Sequence, residues 1–353
     1  VTDRNIDALT VPWYAESGPE NDCVISSRIR FSRNLAGYLF NDRLQESDSR
    51  IIQEEISEAF TAGEEAKSYW AVRVGDITQL DRRMLMERNI IPQEYTLEKQ
   101  RRLFLHREKN IFGVVHHVDH LRLMTFKGGL NLNRAFEDLQ FQDQVLEENL
   151  DYAVSLDLGY LNTEVQNLGT GMKVSTMLHL PALAEAGLVE KACKAIVQIG
   201  LGVKGFWGDD THSLGDMYQI ANTVSFGLNE RDLLEKLENV TYQIVNYERR
   251  VREELVEKRR IELEDKIFRS YGVLTNCRTL AAKEGIEHLL NLRLGIVLGW
   301  ISFPLEQATE LLFECQAAHM QKYMEREKVE MSSKMIDVYR AERIRKTLTN
   351  IEG

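Results

Sequence analysis

The chain has little that would tie it to an oxidising compartment or a metal-stapled fold. Its 353 residues include only four cysteines, Cys23, Cys193, Cys277 and Cys315, and no C-x-x-C pair. Such wide spacing argues against a disulfide framework or a zinc cluster and fits reduced thiols packed as small apolar groups. No apolar run approaches the ~20 residues that a membrane-spanning helix needs. Val1 to Trp13 lacks the basic-then-apolar order of a secretory leader, so a soluble, cytoplasmic protein is expected. Positive charge is also in short supply. The formal net charge of −11 sets the bulk field against nucleic acid and anionic membranes, and neither is expected as a partner. Any anion the protein binds must be held by a local basic cluster. No G-x-x-x-x-G-K-[ST] loop is present, and neither a Walker nor a Rossmann nucleotide site is expected.

What is present is an alternation of helical and strand-like periods. Ile51, Ile52, Ile56 and Phe60 recur at helical spacing within Glu46–Phe60, and a second amphipathic piece surrounds Leu80–Met86 before Pro92. From Arg101 the period shortens: Leu103–Leu105, Phe112–Val115 and Leu121–Phe126 read as strands, with His116–Asp119 at the bend between two of them. A helix follows over roughly Leu132–Val154. Strands are expected at Met172–Leu180, Leu201–Trp207 and Tyr218–Phe226, with a helix at Ala182–Ile199 stopped by Gly200. Asn229 caps a long helix to about Arg269, in which Leu233, Leu237, Val240, Ile244, Val251 and Leu255 repeat near 3.5 residues. Its charged stretch Glu248–Arg260 reads as a solvated face. After Gly272 the chain is helical again, with Leu289, Leu292, Ile296 and Trp300 on one side.

The expected fold class is therefore α+β. A small, mainly helical N-terminal domain (1–100) leads into a mixed or antiparallel sheet flanked by helices (101–270), and a helical C-terminal region (271–353) follows.

The basic residues that bear on anion binding are few and scattered. In Ser26-Ser27-Arg28-Ile29-Arg30, an extended backbone projects Arg28 and Arg30 from one side, two guanidinium forks suited to phosphate oxygens. Arg33 follows closely. Arg122 comes directly after Asp119-His120-Leu121. Lys173 follows Gly169-Thr170-Gly171, whose glycines permit close backbone approach to a ligand, and Lys204 opens Lys204-Gly205-Phe206-Trp207-Gly208-Asp209. Each alone is more often a surface ion pair or a solvated surface charge than a ligand contact. His116 and His120 have metal-like spacing, but His117 stands where H-E-x-x-H needs its glutamate, so turn histidines and no metal are expected.

Taken together, these segments resemble the phosphagen kinase superfamily, which includes creatine and arginine kinases, and above all its bacterial protein-arginine kinase branch. Gly18-Pro19, Val24 to Arg30 and Arg33-Asn34-Leu35 are similar to its N-terminal phosphate-binding segment. Asp119-His120-Leu121-Arg122 resembles the end of its N-E-E-D-H-x-R motif. Gly159-Tyr160-Leu161, Asn167 to Gly171 and His179 to Leu183 follow its nucleotide-domain order. Ile261 to Asp265, Arg269 to Leu274 and Asn276-Cys277-Arg278 resemble the bacterial branch.

The resemblance implies ATP or ADP with magnesium, contacted by Ser26, Ser27, Arg28, Ile29 and Arg30, by Arg122, and by Lys173, Val174, Ser175, Thr176 and Met177. Lys204, Gly205, Phe206, Trp207, Gly208 and Asp209 complete the implied nucleotide set, with Lys173 and Lys204 standing where the family has arginine. On the acceptor side it implies carboxylates that orient and deprotonate a guanidinium, and a cysteine thiolate. Val118 stands at the family's catalytic glutamate, beside Asp119. Glu164 stands at the cysteine position, and Asp209 at the second glutamate. Losing a general base costs ~100- to 10,000-fold in rate, so a catalytically impaired pseudokinase with a nucleotide-binding or regulatory role is expected. The alternative is a divergent, active protein-arginine kinase that holds the guanidinium with Glu164 and Asp209. The resemblance further implies homodimerisation through the C-terminal helices. Phosphoarginine recognition there would fall to Asp337 and Arg340, with Ile336 replacing the family's leading arginine. The partner implied is an arginine-containing protein substrate or a regulator of stress response or proteolysis.

Overall fold

A computed structural model describes residues 11–62, 67–97, 100–205, 208–209, 212–213, 216–329 and 332–349. Its centre is an eight-stranded sheet in the order β2-β3-β4-β5-β1-β8-β12-β9, in which every pairing is antiparallel. The strands are β1 (Val24–Arg33), β2 (Tyr69–Arg73), β3 (Arg102–His106), β4 (Ile111–Val115), β5 (Leu121–Gly128), β8 (Met172–His179), β9 (Leu201–Gly205) and β12 (Met217–Asn222). Two short ribbons, β6 (Val154–Ser155) with β7 (Gly159–Tyr160) and β10 (Gly208–Asp209) with β11 (His212–Ser213), decorate it. The α+β class holds. The first hundred residues also supply β1 and β2, so this stretch threads the middle of the sheet as well as its helical flank.

Helices α1 (Glu46–Thr61), α2 (Gln79–Glu87), α3 (Leu132–Glu147), α4 (Pro181–Glu185) and α5 (Val189–Gln198) alternate with the strands. The expected single helix over Ala182–Ile199 is split in two because Gly187 takes φ +69° between them. Helix α6 runs Glu230–Asn276, and its start is capped as the sequence suggests, Asp232 N donating to Asn229 Oδ1 at 2.8 Å. It breaks helical geometry at Arg259. Helices α7 (Ala282–Val297), α8 (Leu305–Glu314), α9 (Ala317–Arg326) and α10 (Ser333–Thr349) close the chain. Among the described residues no helix is long and apolar enough to cross a membrane. All four cysteines are free thiols, Cys23 and Cys315 buried.

The sheet separates two apolar cores. Ile29, Phe31, Leu121, Leu123 and Val174 point to one face, covered by α1, α3 and the first half of α6. Each such buried side chain stabilises by about 1.5–3 kcal/mol. On the other face Phe112, Val114, Met124 and Phe126 pack against Trp13 and the helices α7 and α8. The Trp13 indole stacks on Phe126 at 4.8 Å and donates to Arg88 O at 2.8 Å, fixing the N-terminal turn to this layer. Beyond the kink α6 crosses to this second core through Leu263, Ile267 and Leu274.

The reading of Glu248–Arg260 as a wholly solvated face needs correction. Glu248 is fully buried and its carboxylate accepts from Ala182 N and Leu183 N, both at 2.9 Å, satisfying the first amides of α4. Arg252, one turn on, is also buried and donates to Asp22 Oδ2 at 3.0 Å and Cys23 Sγ at 3.1 Å. Arg249 joins it on Asp22, and these guanidinium groups hold the Asp22 carboxyl down at about 2 even though burial alone would raise it. Removing one member leaves an uncompensated buried charge. Glu248→Ala is therefore expected to destabilise by about 3 kcal/mol in urea unfolding, whereas Glu257→Ala on the same helix changes stability by less than about 0.5 kcal/mol.

Candidate functional site

Alternation along β1 decides which side chains meet. Arg28 and Arg30 share a face, and the register sets Arg28 opposite Ser175 and Arg30 opposite Lys173 on β8. On the other flank Ser32, on that same face, pairs with Arg122 of β5. Lys204 of β9 pairs with Gln219 of β12, and Gln219 with Met177 of β8, which brings Lys204 onto this face as well. Arg28, Arg30, Lys173, Lys204 and Gln219 line one open cleft of about 370 Å³, on the part of the face that the C-terminal helices leave uncovered.

The cluster is electrostatically uncomfortable without an anion. Burial and the neighbouring Arg122 lower Arg28 to about 10, and burial with Arg28 and Arg122 pushes Arg30 well down. Lys173 falls to about 8 through burial and the charges of Arg30, Arg28 and Lys204. A polyanion laid across the cleft would reverse each of these shifts. Arg28 also lies over the Phe126 ring at 5.6 Å, which aims its guanidinium along the sheet.

The other sequence candidates divide by parity. Ser27, Ile29, Val174 and Thr176 turn to the opposite, helix-covered face. There Ser27 Oγ donates to Gly129 O at 2.8 Å and the Thr176 hydroxyl meets that of Thr241 at 3.2 Å. They support the strands without side-chain access to the cleft, whereas Ser26, Ser175 and Met177 lie on the cleft face. Arg33 is a buried anchor, bonded to Asp143 at 2.6 Å and to Ser32 O and Thr170 O at 3.0 Å. Gly171 makes its close approach to this anchor, because a Cβ there would stand 2.6 Å from Arg33 Nη1. Gly205 ends β9, and Gly208 lies in β10. Phe206, Trp207 and the side chain of Asp209 lie outside the described residues.

Gly200, Gly202 and Gly205 do have the spacing of a dinucleotide fingerprint. They follow helix α5 and run through an antiparallel strand, the reverse of the strand-to-helix order that such a site requires.

At the β4–β5 tip, Asp119 is buried and its Oδ1 accepts from Asn34 Nδ2 and Thr163 N, both at 2.8 Å. It thereby fixes the loop that carries Glu164. Glu164 is exposed, accepts from Asn167 Nδ2 at 2.9 Å, and acts favourably on Arg30, Arg122 and Lys173. Val118 is half-buried and its carbonyl receives Asn41 Nδ2 and Thr163 Oγ1. The His116 ring contacts Asn41 Oδ1 and Ser49 O, and the His120 ring contacts Leu35 N and Leu39 O, so both are held by local structure. Burial lowers His120 to about 4.

Asp337 and Arg340 do meet, but Arg340 is buried, with its donors on Cys315 O, Leu280 O and Asp337 Oδ1 at 2.5–2.6 Å. This pattern staples α10 to the α7–α9 layer. Gln219 and Asn222 were not found from sequence. Asn222 accepts from Val174 N at 2.8 Å and donates to Met172 O at 3.1 Å, a tie between β12 and β8 with no local signature.

The family model described as ATP:guanido phosphotransferase, C-terminal catalytic domain, matches residues 51–251, and that of the protein-arginine kinase McsB C-terminal domain matches 260–353. A protein-arginine kinase of Clostridium acetobutylicum is 34% identical over 341 residues, covering 95% of this chain and 99% of its own length. This chain belongs to the protein-arginine kinase family. Another protein-arginine kinase, from Bacillus cereus, is 32% identical over 91% of this chain and 92% of that protein. Among solved structures, a lombricine kinase superposes with TM-score 0.58 at 21% identity, over 69% of this chain and 70% of that one. The duplicated taurocyamine kinase of Schistosoma mansoni gives 0.59 at 23%, over 69% and 35%. These likenesses show the fold. In this chain the cleft's cations come from the adjacent strands β1 and β8 and from the edge strand β9.

Lys173 titrates within reach of ordinary buffers. Because an anion raises its pKa, binding takes up a proton, so affinity falls as pH rises through about 8. Sulfate affinity measured by calorimetry is expected to drop by up to about tenfold per pH unit between pH 8 and 9. Lys173→Arg should flatten that dependence.

Proposed function

We propose that the cleft binds the phosphates of ATP or ADP and that the protein is an arginine-kinase-like phosphotransferase impaired in transfer to arginine. The observation that carries this reading is the convergence of Arg28, Arg30, Lys173 and Lys204 on one uncovered sheet face. The donor set fits a triphosphate, since guanidinium forks and ammonium groups match phosphate oxygens and, among the described residues, no carboxylate lines that part of the cleft. Magnesium, when bound with the nucleotide, would supply charge neutralisation between phosphates.

The acceptor end supports the impairment. Transfer to arginine requires removal of a proton from a group whose pKa exceeds 12, and Val118 offers no base. Lysine at 173 and 204 keeps charge but lacks the planar fork, which loosens the hold on a transferring phosphoryl group. Asp119 keeps its place as a positioning carboxylate. A second reading, an active kinase, is favoured by one feature: Glu164 brings negative charge beside Arg30 and Arg122, where a guanidinium would approach. Homodimerisation through the C-terminal helices, and an arginine-bearing substrate or a stress or proteolysis regulator as partner, belong to the same proposal.

Phosphoarginine formation on a basic protein substrate separates the two readings. The unmodified protein is expected to give a rate at least about 100-fold below that of Val118→Glu, which restores a base. Robust arginine phosphorylation by the unmodified protein, abolished in Glu164→Gln, would overturn the impaired reading.

A further inference from the structure

The tip between β4 and β5 adjoins Arg122, which pairs with Val114 of β4 and with Ser32 of β1, and His117 lies on this tip. Its Nδ1 is buried without a hydrogen-bond partner among the described residues, as is Nε of Arg30. The ring lies nearly parallel to that of Tyr95, 16° apart with centroids at 6.2 Å. Tyr95 is itself held in place, its hydroxyl lying 2.6 Å from Val115 O and 2.8 Å from Arg102 O with one proton shared between them. Among charged groups Arg122 acts on His117 most strongly, followed by Arg30, which lines the cleft, and by Arg101. Together with burial they drive the imidazole down to about 3, so it is neutral throughout the physiological range. His116 and His120, its neighbours, are both engaged by local groups.

We propose that His117 is a phosphoryl acceptor: the γ-phosphoryl group of a triphosphate held by Arg28, Arg30 and Arg122 is transferred to its imidazole, giving a phosphohistidine. This rests on the nucleotide reading of the cleft. In the tautomer that carries its proton on Nδ1, Nε2 supplies the lone pair. It bonds to the γ-phosphorus as the bond from that phosphorus to the β,γ-bridging oxygen breaks. The electron pair leaves on ADP, and the ring becomes cationic while keeping its Nδ1 proton. No proton has to be removed before attack. A guanidinium needs a base first; a neutral imidazole does not, and so the apolar Val118 beside it is no obstacle. Arg30 and Arg122, on strands adjacent in the sheet, serve transfer by holding the phosphoryl oxygens and stabilising their charge.

The test incubates the full chain with magnesium and ATP labelled at the γ-phosphate, then maps the modified peptide by mass spectrometry at neutral pH. Label that is lost in acid, survives alkali and maps to His117 is expected. His117→Asn should lose at least about 20-fold of it while retaining thermal stabilisation by magnesium-ADP. Stabilisation without label on His117, undiminished label in His117→Asn, or label confined to arginine would each overturn the proposal. Absence of stabilisation in the unmodified protein would instead overturn the nucleotide reading beneath it.

Discussion

Everything at the site depends on the two-residue alternation of β1 at the centre of an antiparallel sheet. Ile29 and Phe31 are driven into the helix-covered core, and the same geometry forces Arg28 and Arg30 out on the opposite face. A single-residue slip would bury two guanidinium groups and expose the apolar pair. The cost of that exchange pins the register, and the register holds Lys173 and Arg122 in line with the arginines. The cation cluster is thus a by-product of core packing.

The two halves of the site are joined mechanically by Asn34. It donates to Asp119 Oδ1 and to Leu161 O, and it accepts from His120 N, so hydrogen bonds tie the end of β1, the β4–β5 tip and the loop before Glu164 together. The Asp119 contact with Thr163 N completes the frame. In this frame the cleft end is dense in positive charge. The acceptor end combines an apolar Val118, an exposed Glu164 and a neutral imidazole at His117. On the proposed reading, proton removal is the task this end is least equipped for, and phosphate holding the task the cleft is best equipped for.

Much of this was legible in the sequence because its signals are local. Arg28 and Arg30 needed only period two, and the start of α6 needed only Asn229 as a cap. The misreadings have one physical origin, partners distant in the chain. Arg33 follows Arg28 and Arg30 closely in the chain, but Asp143, 110 residues away, claims it. The glycines at 169 and 171 looked like ligand space and instead admit the backbone near Ser225 and the Arg33 side chain. Glu248 and Arg252 looked solvated because their partners at α4 and at Asp22 cannot be seen from helix periodicity. Strand β2 had no distinctive pattern, and Gln219 and Asn222 became site residues only through the pairing of β12 with β8 and β9.

The most direct measurement of the central claim is calorimetric titration of magnesium-ADP into the double variant Arg28→Gln/Arg30→Gln. The control is Lys127→Gln, which alters a β5 cation on the opposite face, paired with Asp138 at 2.7 Å. Charge-assisted hydrogen bonds are worth about 1.5–3 kcal/mol each, so the double variant should lose at least about 100-fold in affinity while the control stays near the unmodified protein. Equal affinity in the double variant and the unmodified chain would contradict the account, because the nucleotide would then be held somewhere other than the β1 face.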